Sequence, residues 1–277
     1  MDALYNAAKP RVVAIGGSTA TGKTALSVAL AKRFGGEIIS ADSMQIYQGL
    51  DVGTAKVTPE EMQGVPHHLV GFLAPEQAFS VADFTTLAGK TITQLTAQGK
   101  LPLVVGGTGL YITSLLNGIG FTPEKVDPAI RQELQARLQA EGSHALYAEL
   151  AAMDPGYAAK VHPNNTPRVI RALELYRATG RKMSAEREAA RPAEKPYRSL
   201  CLCLTCRDRT LLYQRIDTRC DRMMQRGILE EAKLVYDHRD TYRTAAQAIG
   251  YKEFFPYFEG TADLESCLAH LKQASRN

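Results

Sequence analysis

The sequence has few or none of the features that mark disulfide-stapled, membrane-spanning or secreted proteins. Its 277 residues include only five cysteines, an odd number without the density of a disulfide-stapled secreted fold. No run of about 18 apolar residues occurs, so the sequence predicts no membrane-spanning helix. The first residues also lack the apolar segment of a secretory signal. We therefore expect a cytoplasmic protein that has no membrane partner.

Three of the cysteines, Cys201, Cys203 and Cys206, lie close together in the sequence. A structural zinc site needs four ligands, and no further cysteine or histidine follows at zinc-finger spacing. The alternation of cysteine and leucine from Leu200 to Leu204 instead predicts small apolar side chains on a buried strand.

The excess of basic over acidic residues is small in the whole chain but large in one region. The net charge of +4 does not by itself indicate a nucleic-acid partner. Residues 160–222, however, carry 15 basic and only 7 acidic residues, and most of the basic ones are arginine. Because the planar guanidinium suits phosphate, this region indicates a phosphate-rich partner. The alternative is a solvated helical face whose arginines pair with neighbouring acids.

Short apolar runs alternate with helical patterns in the first part of the chain. Strands are predicted at residues 11–15, 37–40 and 101–105, and helix-start signatures occur at Thr58 and Ser80. Strands that alternate with helices build parallel sheets with helices on both faces. The sequence therefore predicts an α/β fold with a doubly wound parallel sheet.

The pattern becomes helical after this part. No good strand is found from 123 to 196, where helices are predicted to start at Asp127–Pro128 and Pro167, and strand character returns at Leu200. We therefore predict two domains: a catalytic core of residues 1–118 and 197–277, and an all-helical insertion of residues 119–196.

A phosphate-binding loop follows the first strand. The motif G-x-x-x-x-G-K-[ST] is matched, between a strand and a helix, by Gly17, Ser18, Thr19, Ala20, Thr21, Gly22, Lys23 and Thr24. Its glycines let several backbone N–H groups point at one anion, and the helix start adds its positive end. Lys23 adds a full charge, and the Thr24 hydroxyl can hold Mg²⁺. The motif predicts a di- or triphosphate ligand without saying which one.

A carboxylate and a hydroxyl follow two other strands of the core. A nucleotide hydrolase usually has an aspartate after a later strand, but here the strand at 101–105 is followed by Gly106, Gly107 and Thr108. The carboxylate is Asp42, after the second strand. Both strand ends should meet at the ligand-binding crevice of the sheet. Asp42 is then a metal ligand or a base, or only a turn or helix cap, and Thr108 has the alternative role of helix N-cap.

The sequence resembles the tRNA dimethylallyltransferases, also called isopentenyl-tRNA transferases, over almost its whole length. Besides the phosphate loop, the resemblance depends on strings whose order and spacing are specific to that family: Asp42–Tyr47, Asp51–Lys56, His67–Leu69, Gly106–Tyr111, Asn164–Gly180, Leu212–Ile216, Arg219, Met223, Gly227 and Gln247–Lys252. The resemblance implies a P-loop kinase-like core and a helical insertion that grips the tRNA anticodon stem-loop.

The implied reaction moves a dimethylallyl group from dimethylallyl diphosphate to the exocyclic amine of the adenosine just 3′ of the anticodon. The resemblance assigns four catalytic residues: Asp42 as the base, Thr108 beside the reacting nucleotide, and Lys23 and Arg219 on the leaving diphosphate. For Arg219 a surface salt bridge is the alternative. The cofactor is Mg²⁺ at Thr24. The residues implied in tRNA binding are Asp42, Ser43, Met44, Gln45, Thr108, Arg131, Pro167, Arg168, Val169, Ile170, Arg171, Gln247, Ala248, Ile249, Gly250, Tyr251 and Lys252.

The sequence departs from the family pattern at two places. The family often has glutamine where this chain has Pro167, and it usually continues past a Lys-Gln-Ala helix into a basic tail with tryptophan, a residue absent here. We expect a monomer. Two other functions remain open from the residues themselves: an ATP-dependent P-loop kinase for a small molecule, and an RNA-binding protein that keeps the loop without catalysis.

Overall fold

The computed structural model describes residues 9–121, 127–190, 192 and 194–276. The chain divides into two compact units. The first, the core unit, comprises Met1–Leu116 and Lys195–Asn277, and the second, the helical unit, comprises Asn117–Glu194. These boundaries lie within two residues of those drawn from the sequence.

A five-stranded parallel sheet forms the centre of the core unit. Its strands follow the spatial order β3-β2-β4-β1-β5. The predicted α/β class and parallel sheet are thereby confirmed. The bounds of the strands are β1 Arg11–Gly17, β2 Gly36–Ser40, β3 His67–His68, β4 Leu101–Val105 and β5 Arg198–Leu204. β3 is not predicted from the sequence, because two residues are too few to show a strand pattern.

Thirteen α-helices accompany the sheet in the described part of the chain, α5 to α9 of them in the helical unit. Two short 3₁₀ helices, Ala245–Gln247 and Lys252–Phe254, follow α11. The bounds are α1 Lys23–Phe34, α2 Pro59–Met62, α3 Val81–Ala97, α4 Gly109–Leu116, α5 Pro128–Glu141, α6 Ser143–Met153, α7 Pro155–Ala158, α8 Thr166–Thr179, α9 Met183–Ala189, α10 Arg209–Gln225, α11 Ile228–Asp237, α12 Phe255–Phe258 and α13 Leu264–Arg276. None of these helices is long and apolar enough to cross a membrane.

Side chains on the two faces of the sheet enter different apolar clusters. Val12 and Ala14 of β1 pack with α3 and α4, where the rings of Phe84 and Tyr111 stack with centroids 4.3 Å apart. Ile15 belongs to the cluster that includes α1. Because successive strand residues point to opposite faces, this division covers the sheet with helices on both sides.

The predicted helix starts are confirmed by their caps. Thr58 and Ser80 each form a capping box, with Glu61 and Asp83 respectively. Asp127 caps α5 by accepting a hydrogen bond from the N–H of Ala129 at 2.9 Å. These local signals are reliable because each cap satisfies backbone donors that the helix itself leaves unpaired.

The prediction that the cysteine-rich strand is buried is wrong. Cys201 and Cys203 are exposed on β5, and Leu200 is 58% exposed. The reason is the position of the strand: β5 is at the edge of the sheet and pairs with β1 alone. Alternation of apolar residues predicts a strand but does not tell whether helices cover both of its faces.

The helical unit has only helices among its described residues, as predicted. Leu134 of α5, Leu150 of α6 and Leu173 of α8 pack in its core. Two arginines connect the same three helices at the surface, since Arg177 pairs with Glu133 and Glu149, and Arg137 also pairs with Glu149. The unit therefore has its own apolar core and its own ion-pair network.

Candidate active site

The phosphate-binding loop connects β1 to α1 in a tightly curled conformation. Gly17 and Gly22 have φ of 145° and 91°, a region that favours glycine. A Cβ on Gly17 would lie 2.5 Å from the carbonyl oxygen of Leu204. No side chain caps the first turn of α1, and that turn has no acidic residue. Its N–H groups therefore remain available for an anion at the positive end of the helix.

Two cations meet at this loop. Lys23 donates from Nζ to the carbonyl oxygens of Gly17 and Ser18 at 2.9 and 2.7 Å. Arg219, on α10, donates to the hydroxyl of Thr19. The structure thus brings Arg219 to the loop, so the alternative of a surface salt bridge does not apply.

The electrostatics of the two cations favour an anionic ligand. Burial lowers the pKa of Lys23, the charge of Arg219 lowers it further, and Asp42 acts in the opposite direction. Burial also lowers the pKa of Arg219, which Asp42 again opposes. Two partly desolvated like charges destabilise each other, and a polyphosphate between them would relieve both penalties.

Asp42 begins a turn directly after β2. Its Oδ1 accepts hydrogen bonds from the N–H groups of Met44 at 2.9 Å and Gln45 at 3.3 Å. Oδ2 takes part in no hydrogen bond among the described residues. The carboxylate therefore does act as a turn cap, the alternative considered from the sequence, while its second oxygen is free for chemistry in the cavity that Asp42 lines.

Thr108 lies against the same turn. Its hydroxyl oxygen accepts a hydrogen bond from the N–H of Ser43 at 3.0 Å and donates one to the Ser43 hydroxyl at 3.3 Å. The side chain therefore binds the Asp42 turn and does not cap α4. Asp42 and Thr108, predicted to meet at one edge of the sheet, are held together by Ser43.

Gly106 allows this meeting of two strand ends. The N–H of Ala41 donates to the Val105 carbonyl at 2.8 Å, and the N–H of Thr108 donates to the Ala41 carbonyl at 3.2 Å. A Cβ on Gly106 would lie 2.1 Å from the Ala41 carbonyl oxygen. Only glycine lets the two backbones approach this closely.

A cavity of about 940 Å³ extends from the phosphate loop. Asp42 and Gln45 line it, together with apolar side chains that include Val52, Val57 and Met223. Its lining thus combines a cationic end, a carboxylate and an apolar wall, the usual composition of a small-molecule site.

Several cavity residues were not found from the sequence. Arg215 and Arg222 line the cavity from α10 together with Arg219, and so does Arg226, the residue that follows the helix. They lie four, three and four residues apart in turn, so helical spacing on α10 was the signal that could have found them. His67 also lines the cavity, and burial lowers the pKa of its imidazole.

The segment Gln247–Lys252, predicted to bind tRNA, is only partly accessible. Gln247, Ile249 and Lys252 are exposed, whereas Ala248, Gly250 and Tyr251 are buried. The prediction of side-chain contacts from these last three residues is therefore corrected: their side chains, where they have one, face the protein interior.

The same correction applies to α8 in the helical unit. Pro167, Arg168 and Arg171 are exposed, but Val169 and Ile170 are only 1% and 8% exposed and belong to the apolar core. The string of five consecutive residues could not all face one side, because a helix turns by about 100° per residue.

Arg131 and Arg171 share one buried carboxylate. Arg131 makes a bidentate pair with Glu174 at 2.8 and 2.9 Å, and Arg171 donates to Glu174 at 2.8 Å. Burial would raise the pKa of Glu174, but the two arginines hold it below its ordinary value. These two arginines thus match in part the alternative of an acid-paired helical face, while remaining about half exposed.

Fold and site together define the class of this protein: an α/β protein whose parallel sheet carries a cationic loop and a carboxylate at one cavity. Residues 45–277 match the family model described as IPP transferase, and residues 10–70 match the one described as isopentenyl transferase. The chain belongs to the IPP transferase family.

Relatives of known name agree with this membership. The chain is 49% identical over 271 residues to a tRNA dimethylallyltransferase of Bacillus subtilis, covering 98% of this chain and 86% of the relative. It is 47% identical to that of Geobacillus thermodenitrificans, with 96% and 84% covered.

Solved structures lead to the same family. The tRNA isopentenylpyrophosphate transferase of Bacillus halodurans matches with a TM-score of 0.68 and 44% identity over 97% of this chain and 84% of that one. A eukaryotic dimethylallyltransferase acting on tRNA matches with a TM-score of 0.79 and 32% identity over 96% and 67%. These relatives do not favour the alternative of a small-molecule kinase.

Proposed function

We propose that this chain transfers a dimethylallyl group from dimethylallyl diphosphate to the exocyclic amine of the adenosine just 3′ of a tRNA anticodon. The products are isopentenyladenosine and diphosphate. The observation that carries the proposal is the convergence of Lys23 and Arg219 on the phosphate loop, with Asp42 in the same cavity. The names of the relatives support the choice of donor and acceptor class.

The core unit is proposed to be P-loop kinase-like. Support comes from the loop between β1 and α1 and from the parallel order β3-β2-β4-β1-β5, in which the loop strand has a neighbour on each side. In this proposal the loop binds the diphosphate of the donor and not a nucleoside triphosphate. The apolar wall at Val52, Val57 and Met223 then suits the isoprenoid.

The proposed chemistry joins the adenine nitrogen to the allylic carbon while the bond from that carbon to the diphosphate oxygen breaks. The amine proton passes to Asp42, whose free oxygen can accept it. A base is useful because the adenine amine is a poor nucleophile. Lys23, Arg219 and the loop N–H groups stabilise the charge that gathers on the leaving diphosphate.

Mg²⁺ is the proposed cofactor. The Thr24 hydroxyl at the start of α1 lines the cavity, and hydroxyl and carboxylate oxygens are the hard donors that Mg²⁺ takes. Few protein ligands are needed, because Mg²⁺ in such sites is held largely by substrate phosphates and water. When bound, it would neutralise part of the diphosphate charge.

The tRNA anticodon stem-loop is the proposed partner of the exposed residues. Arg168, Arg171 and Arg131 would contact backbone phosphates, and Gln247, Ile249 and Lys252 would contact the loop. Thr108 would lie beside the reacting nucleotide. Because the amine must reach a cavity, the adenosine would leave its stack. We propose a monomer acting where tRNA is used, in the cytoplasm.

Labelled dimethylallyl diphosphate tests the function directly. Purified protein with Mg²⁺ should move the label to tRNA that lacks the modification, and mass analysis of the product nucleosides should show isopentenyladenosine. Phosphorylation of a small molecule by ATP without prenyl transfer would contradict the proposal in favour of a kinase. Tight tRNA binding without turnover would contradict it in favour of a binding protein.

A further inference from the structure

Glu231, on α11, holds a loop that is distant in sequence. Its carboxylate accepts hydrogen bonds from three consecutive N–H groups, those of Asp51 at 2.7 Å, Val52 at 2.9 and 3.1 Å, and Gly53 at 2.8 Å. Successive N–H groups that point at one anion form a backbone nest. Here the anion in the nest is a side chain of the protein itself.

The same carboxylate also binds the Gln247–Lys252 segment. The hydroxyl of Tyr251, which is fully buried, donates to Oε1 of Glu231 at 2.7 Å. A Cβ on Gly53 would lie 2.4 Å from Cε1 of Tyr251, and one on Gly250 would lie 2.8 Å from the Gly53 carbonyl oxygen. The loop and the segment are therefore packed so closely that neither glycine could carry a Cβ. Glu231 accepts hydrogen bonds from the N–H groups of the loop and from the hydroxyl of Tyr251.

Both elements lead to the proposed site of reaction. The loop supplies Val52 and Lys56 to the cavity lining. The side-chain amide of Gln45, in the Asp42 turn, donates to the carbonyl of Ala55 at 3.1 Å. The segment, on its other side, exposes Gln247, Ile249 and Lys252. A continuous set of contacts thus connects the Asp42 turn to the exposed residues of the segment through Glu231.

We propose that Glu231 is a positioning residue for the acceptor tRNA: it fixes the cavity loop and the Gln247–Lys252 segment in one geometry, so that the exposed residues of the segment are preorganised to bind the tRNA. This inference rests on the proposed function. Glu231 acts through its neighbours and has no contact with the diphosphate end of the cavity. Because Val52 of the held loop belongs to the apolar wall, the loss of Glu231 should affect both substrates, the use of tRNA more strongly than the binding of dimethylallyl diphosphate.

The test is Glu231→Gln, which keeps the shape of the side chain. Glutamine has one acceptor oxygen, and its amide nitrogen is a donor that cannot accept from the N–H groups of the loop. Some of the hydrogen bonds between the loop and residue 231 are therefore lost. Loss of charge-assisted hydrogen bonds predicts a KM for tRNA raised about tenfold, a KM for dimethylallyl diphosphate raised by a smaller factor of about two- to threefold, and a kcat changed less than about twofold. Tyr251→Phe removes one donor and should raise the tRNA KM by about two- to fivefold.

Two comparisons make the test specific. Glu230→Gln, the neighbour on the same helix, changes the same charge outside the nest and should behave as wild type. A role in fold stability alone would lower the active fraction, which reduces kcat and leaves both KM values unchanged. That result, or equal losses for both substrates, would overturn the inference. If Glu231→Gln does not fold, Tyr251→Phe decides by the same criterion.

Failure of this inference and failure of the proposed function are distinguishable. If the wild-type protein transfers no dimethylallyl group, the function is wrong whatever the variants do. If the wild type transfers it and Glu231→Gln matches Glu230→Gln, only the role of Glu231 is wrong.

Discussion

At the scale of single residues, side chains to which we assign a chemical role also make hydrogen bonds that hold the local structure. Asp42 caps its own turn with Oδ1 and leaves Oδ2 for the cavity. Thr108 holds Ser43 in the same turn through its hydroxyl oxygen. If a substitution removes both the hydrogen bonds and the proposed chemical role, the cause of a lost activity cannot be identified. A variant that tests the chemical role must therefore keep the structural hydrogen bonds.

Asp42→Asn separates the two tasks of Asp42. Asparagine keeps an acceptor oxygen for the turn but cannot take the amine proton, so turnover should fall by about 10² or more. Single-turnover transfer of labelled dimethylallyl groups measures the loss, and tRNA binding should remain as in wild type. Turnover that is unchanged would remove Asp42 from the role of base.

At the scale of elements, the ends of β2 and β4 bring Asp42 and Thr108 together because Gly106 has no side chain. Gly106→Ala would place a Cβ on the Ala41 backbone, which cannot move without displacing Asp42. We expect a loss in the free energy of unfolding of about 1–3 kcal/mol or more, together with lower activity.

Gly107→Ala is the matched control for that variant, because a Cβ on Gly107 would have no atom within 4 Å. Denaturant unfolding of both variants should show a clear loss for Gly106→Ala and little change for Gly107→Ala. Equal stabilities would show that the two strand ends can separate at no cost.

The ion-pair cluster of α5 and α8 should make stability depend on pH. Glu174 has its pKa held below the ordinary 4.5 in the folded chain, so its contribution is complete above that pH and is lost as the pH falls through the lower, folded value. Thermal unfolding of wild type and Glu174→Gln should therefore differ above pH 5 and converge in acid. A difference that stays constant to pH 2 would contradict this.

At the scale of the whole molecule, exposed arginines of the helical unit are expected to carry the salt dependence of tRNA binding. Arg168→Glu should weaken tRNA binding and reduce the slope of log affinity against log salt by about 1 or more, because phosphate contacts release counterions. Arg168 suits this test better than Arg171, whose charge is partly used by Glu174.

Lys160→Glu is the control, an equal charge reversal at an exposed position of the same unit. It should change the salt slope less than Arg168→Glu does. If only the affinity for dimethylallyl diphosphate changed in Arg168→Glu, α8 would not be part of the tRNA interface.

Most of the architecture was predictable from the sequence, because its signals are local. Capping residues fixed the starts of α2, α3 and α5, and the loop motif located the phosphate site. The exposure of β5 and the burial of Tyr251 were not predictable, since both depend on which elements cover a surface. Glu231 was missed because its partners lie about 180 residues earlier in the chain.

That separation has a consequence for biosynthesis. β1 also pairs with a strand that is distant in sequence, because its neighbour β5 begins at Arg198. A ribosome releases the chain from its amino end, so the phosphate loop emerges long before α11 does. A nascent chain that stops before residue 231 lacks the carboxylate that accepts the N–H groups of Asp51–Gly53. If Glu231 positions the tRNA as proposed, translation must run through most of the chain before a site able to act on tRNA can form.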